Sequence, residues 1–226
     1  MSGVLAPAGD FMNIRPVVLA HEQRLVVHPS LSTLLPGGVQ RGSTLVVASS
    51  RPQGATSLAL GLLAGISGAG GWCAVVGLPS LGVVAASQMG LQLDRLALIP
   101  EPGGQWPVVV GALIDSVDMI LVAPPSRATP RDARRLAARA RERGAVLVAL
   151  GSCWPDRGDL HLSVGSVEWT GLGLGVGYLQ GRRAEVAVTG RGAAARERRV
   201  WTLLPPPSDH PNGGPEEADR LMGRTG

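Results

Sequence analysis

The sequence contains no lysine and only one phenylalanine and one tyrosine, while all 21 basic residues are arginine and 32 residues are glycine. This skew suggests a GC-rich coding bias and inflates the basicity of the chain. The net charge of +4 permits contact with nucleic acid or an acidic partner, but 17 carboxylates are interspersed among the arginines, so the field is not single-signed. Cysteine is nearly absent as well. Cys73 and Cys153 are the whole supply, and the opening MSGVLAPAGDFMNIRP lacks a charged segment followed by an apolar one, so a reduced, cytoplasmic location is expected. The four histidines (His21, His28, His161 and His210) and the two thiols show no ligand-like spacing, which argues against a metal site. Charge is missing altogether from Pro52 to Leu93. That stretch is no membrane span, because Gly61, Gly65, Gly68, Gly70, Gly71 and the turn Pro79 to Gly82 cut it into pieces of about 15 residues or fewer.

What is present suits one buried core. A chain of 226 residues, 45% of them hydrophobic, can form a single domain with tails. The expected organisation is an N-terminal segment over 1–27, a folded unit over 28–204 and a disordered tail over 205–226, where proline, glycine and charge dominate. After a loop-rich entry with the turn Pro36-Gly37-Gly38, short apolar runs alternate with helical patterns. Strands are predicted at Ser43 to Ser49, Trp72 to Leu78, Leu96 to Pro100, Asp118 to Pro124 and Ala145 to Gly151. Helices are predicted at TSLALGLLAGIS, near VVAASQMG, at WPVVVGALIDS and at Arg131 to Arg143, the last opened by Pro130. This alternation is that of an α/β fold, a mostly parallel sheet flanked by helices. The final third reads as an antiparallel C-terminal strand extension, LHLSV, VEWTGLGLGVGYLQGRRAEVAVTGRG and RRVWTLLP, with a hairpin turned at Gln180-Gly181-Arg182.

The strand Ser43 to Ala48 followed by SSRPQGATSLAL is where a nucleotide-binding α/β protein carries its phosphate loop, GxxxxGK[ST]. Gly54 and Thr56 fit that frame. Ser49 stands at the first glycine position and Ala55 at the lysine position, so neither the bare turn nor the cation for the β- and γ-phosphates is available. No cofactor is expected.

From about Leu31 to Leu204 the chain resembles the RecA recombinase core, and within that superfamily the ImuA family of bacterial DNA-damage mutagenesis cassettes. The resemblance rests on LPGGVQRGSTLVV, on the phosphate-loop frame with TSLAL, and on the order of elements that follows. It implies a RecA-like core. Carried over position by position, the glutamate that activates water is replaced by Pro79 in VGLPSLG, and the Mg²⁺-assisting aspartate by Ala123, before Pro124, in DMILVAPP. With charge neutralisation, metal ligation and base missing together, the expectation is a pseudo-ATPase that is not an enzyme. The segments PPSRATP and SCWPDRGD stand where RecA has its two DNA-binding loops, and both look trimmed, so DNA binding is expected to be weak or indirect. As partners the resemblance implies an ImuB-type polymerase homologue and, through it, an error-prone C-family polymerase and the sliding clamp in translesion synthesis, with RecA itself as a further candidate. Two alternatives remain: a SulA-like cell-division inhibitor, and a residual nucleotide- or DNA-binding RecA paralogue using Thr56 and backbone N–H groups as an anion cradle.

Candidate contact residues are few. On the arginine-rich helix, Arg131, Arg134, Arg135 and Arg139 belong either to a solvated face partly paired with Asp132 and Glu142 or to a contact for phosphates or an acidic partner. Of Trp72, Trp106, Trp154, Trp169 and Trp201, most suit the core, with Trp154 expected to be partly exposed as a contact residue. Trp201, in the stretch Arg196 to Leu204, is a second partner candidate. Gly171, Gly173, Gly175 and Gly177 would bare one strand face for close packing. Cys153 beside Ser152 has no assignable activating histidine or acid and no GxSxG elbow, so hydrolase chemistry is not expected.

Overall fold

A computed structural model of the chain describes residues 24–49, 54–155, 158–170, 181–191 and 196–204. Two short strands, β1 (Arg24–Leu25) and β2 (Val39–Gln40), pair antiparallel around a 3₁₀ turn at Pro29–Leu31. The α/β alternation then runs β3 (Thr44–Ser49), α1 (Ala55–Gly68), β4 (Cys73–Val76), α2 (Val83–Gln88), β5 (Leu96–Ile99), α3 (Trp106–Leu113), β6 (Met119–Val122), α4 (Pro130–Arg143) and β7 (Val146–Leu150). Three longer strands close the chain: β8 (Leu160–Thr170), β9 (Gly181–Gly190) and β10 (Arg198–Leu203). Each predicted strand of the alternation is present, trimmed by up to two residues at an end, while α1 and α4 extend slightly beyond the predicted helices and α3 stops three residues earlier.

Eight strands form one sheet in the order β10-β9-β8-β3-β7-β6-β4-β5. Strands β3 to β8 of this sheet are parallel to their neighbours, and only the β8–β9 and β9–β10 pairs are antiparallel. Strand β3 thus lies inside the sheet between β7 and β8. Such strands are apolar on both faces because helices cover both. Leu45, Val47, Val75, Leu121 and Val148 pack with α1, α2 and the N-terminal strands, whereas Val46, Val76, Ile120 and Leu147 pack with α3 and α4. Burying each of the larger side chains contributes about 1.5–3 kcal/mol.

The helices start and stop for local reasons. Thr129 accepts the Asp132 backbone N–H and Pro130 occupies the first turn of α4, while Gly144 ends it in the left-handed conformation. Helix α1 has a glycine N-cap and no side-chain cap, so nine buried residues hold it rather than its terminus.

The hairpin differs from expectation. Gly181 and Arg182 are already in β9, opposite Thr170 and Trp169, because the register continues through them; the residues joining the strands, 171–180, lie outside the described residues, and with them the expected glycine face. A register shift between Val164 and Val167 bends β8. No helix among the described residues is long and apolar enough to cross a membrane.

Candidate functional site

The residues of the phosphate-loop frame come together at the carboxyl ends of the parallel strands, where ligands of open α/β sheets usually bind. Ser49 is the last residue of β3, and its hydroxyl donates to the Val164 carbonyl of the neighbouring strand at 3.3 Å. Gly54 caps α1 at φ 91°, and a Cβ there would sit 3.1 Å from Val164 Cγ1 and 3.4 Å from Leu204 Cδ1. The first turn of α1 is therefore pressed against the antiparallel extension. Ala55 packs into the core, and Thr56 is exposed. Residues 50–53, between Ser49 and Gly54, lie outside the described residues.

The two acidic positions of the frame follow neighbouring strands and hold no acid. Pro79 is exposed in the turn after β4, and Ala123 follows β6, its N–H donating to the Val76 carbonyl at 2.9 Å. Between α1 and the β4–α2 turn opens a cavity of about 470 Å³, lined by Thr56, Ser57, Ser80, Gln88 and apolar side chains including Leu60 and Leu81. None of the lining residues is ionisable. Hydroxyls, an amide and methyl groups can hold water or a neutral ligand, but they cannot neutralise a polyphosphate or ligate its metal.

One cation near this turn escaped the sequence reading. Arg182, at the start of β9, reaches across to donate to the Ser57 hydroxyl at 2.6 Å. Burial pulls its guanidinium below the usual arginine range. Separated from Ser57 by 125 positions, Arg182 gave no local signal in the sequence. Cys73 is inert for the same physical reason with the opposite sign, since burial, aided by the charge of Asp118, pushes its thiol up to about 12.

The contact candidates do not gather around the frame. Arg131, Arg134, Arg135 and Arg139 are exposed on α4, across the sheet from α1. Arg135 pairs with Asp132 at 3.5 Å; Arg139 and Arg143 both pair with Asp115. The hydrogen bond from Arg139 is the main reason the Asp115 carboxyl lies below its ordinary range, with the charges of Arg139 and Arg143 adding to it. Trp154 corrects the expectation of exposure. It is 7% exposed, packed in the same cluster as Trp106, Leu136 and Ala149, because the Ala128 N–H bonded to the Cys153 carbonyl at 3.0 Å draws the two loops together over it. Trp201 is 40% exposed on β10, with the Arg183 guanidinium 5.6 Å from its ring centre. Among the described residues no group of three or more His, Cys, Asp or Glu could hold a metal.

Comparison with known proteins places this geometry in a family. The family described as the MT3502 N-terminal domain matches residues 33–156, from ahead of β2 through the loop that holds Trp154. The chain is also 39% identical over 134 residues to a protein of Mycobacterium tuberculosis (strain ATCC 25618 / H37Rv) known as uncharacterized protein Rv3395c. That match spans 55% of this chain and 66% of the relative, just under two thirds of its length.

Proposed function

The chain belongs to the MT3502 N-terminal domain family, and we propose, from its phosphate-loop frame and the order of its elements, that it is a RecA-like pseudo-ATPase, its unit 28–204 acting as a non-catalytic adaptor in DNA-damage-induced mutagenesis. The observation that carries the reading is the cavity beside the first turn of α1: it lies near the carboxyl ends of the parallel strands, and among the described residues that line it none is ionisable, while Arg182 beside it is engaged with the Ser57 hydroxyl. A nucleoside triphosphate brings three to four negative charges, and burying them against hydroxyls and methyl groups is unfavourable without cations. The RecA-like identity is supported by the interior strand β3 leading into α1 and by the helix pairs on either face of the sheet. A core of this kind acts through its surfaces. The partner in this reading is an ImuB-type polymerase homologue, through which an error-prone C-family polymerase and the sliding clamp are reached, in the cytoplasm.

Co-purification with the ImuB-type protein of the same genome tests this. The informative truncation removes 205–226 and spares β10, because Thr202 donates to the Ser30 carbonyl and Leu204 is fully buried. Retained association of the full chain, together with no heat of binding on titration with Mg-ATP, is the expected result. Absence of any ImuB-type complex overturns the adaptor, and micromolar Mg-ATP binding overturns the pseudo-ATPase.

A further inference from the structure

The parallel strands begin at the end of the sheet opposite the phosphate-loop frame, and there a second cavity of about 470 Å³ is lined by Arg24, Arg41, Arg141 and Arg191. The four come from separate elements: β1, the β2–β3 turn, the last turn of α4 and the end of β9. One carboxylate, Asp159, shares the cavity, 3.8 Å from Arg191, and its other oxygen accepts the Thr44 backbone N–H at 2.9 Å. Arg41 is held from outside by Asp118 at 2.9 Å. The side chains of Arg24 and Arg141 make no ion pair or hydrogen bond among the described residues.

Close backbone packing builds this convergence. Gly42 at φ 77° lets the β2–β3 turn touch α4, where a Cβ would lie 2.9 Å from Arg141 Cα; at Gly158 it would lie 2.6 Å from the Thr44 carbonyl oxygen. Attraction of cations to the carbonyl end of α4 accounts for Arg141 and Arg143. It does not account for Arg24 and Arg191, which arrive from other strands.

Helix α4 extends the charge. Its arginines fall into two rows: Arg135, Arg139 and Arg143 are paired with Asp132 and Asp115, whereas Arg131, Arg134 and Arg141 have no such partner among the described residues. The second row runs about 15 Å along the helix at 1.5 Å per residue and ends in the cavity. We propose that the arginine cavity and this row bind the phosphodiester backbone of a nucleic acid. The length of the row suits successive phosphates better than one small anion. Among the described residues of the lining Leu160 is the single apolar side chain and none carries a ring, so these residues give bases no platform and recognition is through the backbone, independent of sequence. The site is separate from the protein partner of the adaptor reading, and either can fail without the other.

The test is fluorescence anisotropy of a labelled twenty-nucleotide oligothymidylate and of a duplex of equal length with the full chain, at low and moderate salt. The expected result is salt-sensitive binding that the double variant Arg24→Ala/Arg141→Ala weakens about tenfold or more, with a salt slope lower by about two. Both side chains are exposed, so the melting temperature should not move; Arg183→Ala, on the open face of β9, should leave affinity within about twofold. No binding by the native chain, or unchanged affinity of the double variant, overturns the proposal. So does displacement by polyglutamate as effective as by unlabelled oligonucleotide, which would mark an acidic protein as the ligand. Displacement by tripolyphosphate at equal phosphate concentration would assign the site to a free polyphosphate and overturn the backbone reading.

Discussion

Two cavities of the same volume, about 470 Å³, open at opposite ends of one parallel sheet, yet one is lined by hydroxyls and methyl groups and the other by four guanidinium groups. The end at which such sheets conventionally bind ligands presents β3, a left-handed glycine and a helix start. Among the described residues that line its cavity none is charged. At the other end, where only strand starts and helix ends meet, charge has accumulated on backbone brought close by glycine. Backbone architecture and electrostatics are therefore independent variables in this fold, and position in the sheet alone does not locate function.

The contrast can be broken most severely at Gly158. A Gly158→Val substitution combines φ 64° with a Cβ against the Thr44 carbonyl oxygen, and should cost about 3 kcal/mol or more in chemical denaturation while dispersing the arginine cavity. At the other end, Gly54→Ala faces φ 91° but meets only the side chains of Val164 and Leu204. A loss of about 1–2 kcal/mol is expected. Anisotropy should show oligonucleotide binding unchanged in this variant, which would sharpen the division between the two ends.

The smallest effect is electrostatic. Asp115, just after α3, has its carboxyl lowered by Arg139 first and Arg143 next. A carboxyl lowered in the folded state contributes stability that is present above its unfolded value, near pH 4, and is lost as pH falls through the folded value. Thermal melts of Asp115→Asn should therefore run slightly below the native chain at neutral pH and converge with it in acid. A gap that persists at pH 2 would mean that the carboxylate acts through something other than its charge.

Much of the fold was legible in the sequence because four buried strands and the edge strand β5 are short apolar runs bounded by turns, and α4 carries its own cap and stop signals. Of the neutral cavity's lining only Thr56 was singled out by its place in the phosphate-loop frame; Ser57, Leu60, Ser80, Leu81 and Gln88 carried no signal, and Ser49, Ala55, Pro79 and Ala123 are not among the lining residues. The arginine cavity was not legible. Arg24, Arg41, Arg141 and Arg191 are spread over most of the chain, and only the packing of β1, the β2–β3 turn and the end of α4 unites them. Trp154 misled for a related reason: its neighbours in sequence are polar, while its neighbours in space, Trp106 and Leu136, come from α3 and α4. The hairpin was placed too late because Gly181 looked like a turn glycine, although the ladder with β8 carries through it.

The hydrogen bond from Arg182 to Ser57, with Leu204 close over Gly54, ties one end of the β9–β10 pair to the first turn of α1. Peeling β9 and β10 away would strip the helix start of its packing, so the extension and the α/β core share one cooperative unfolding event. The extension is consequently not a separable arm: a pull applied to β10 is transmitted to the first turn of α1 and, through Thr202 and Arg198, to the segment around Ser30 and Leu34.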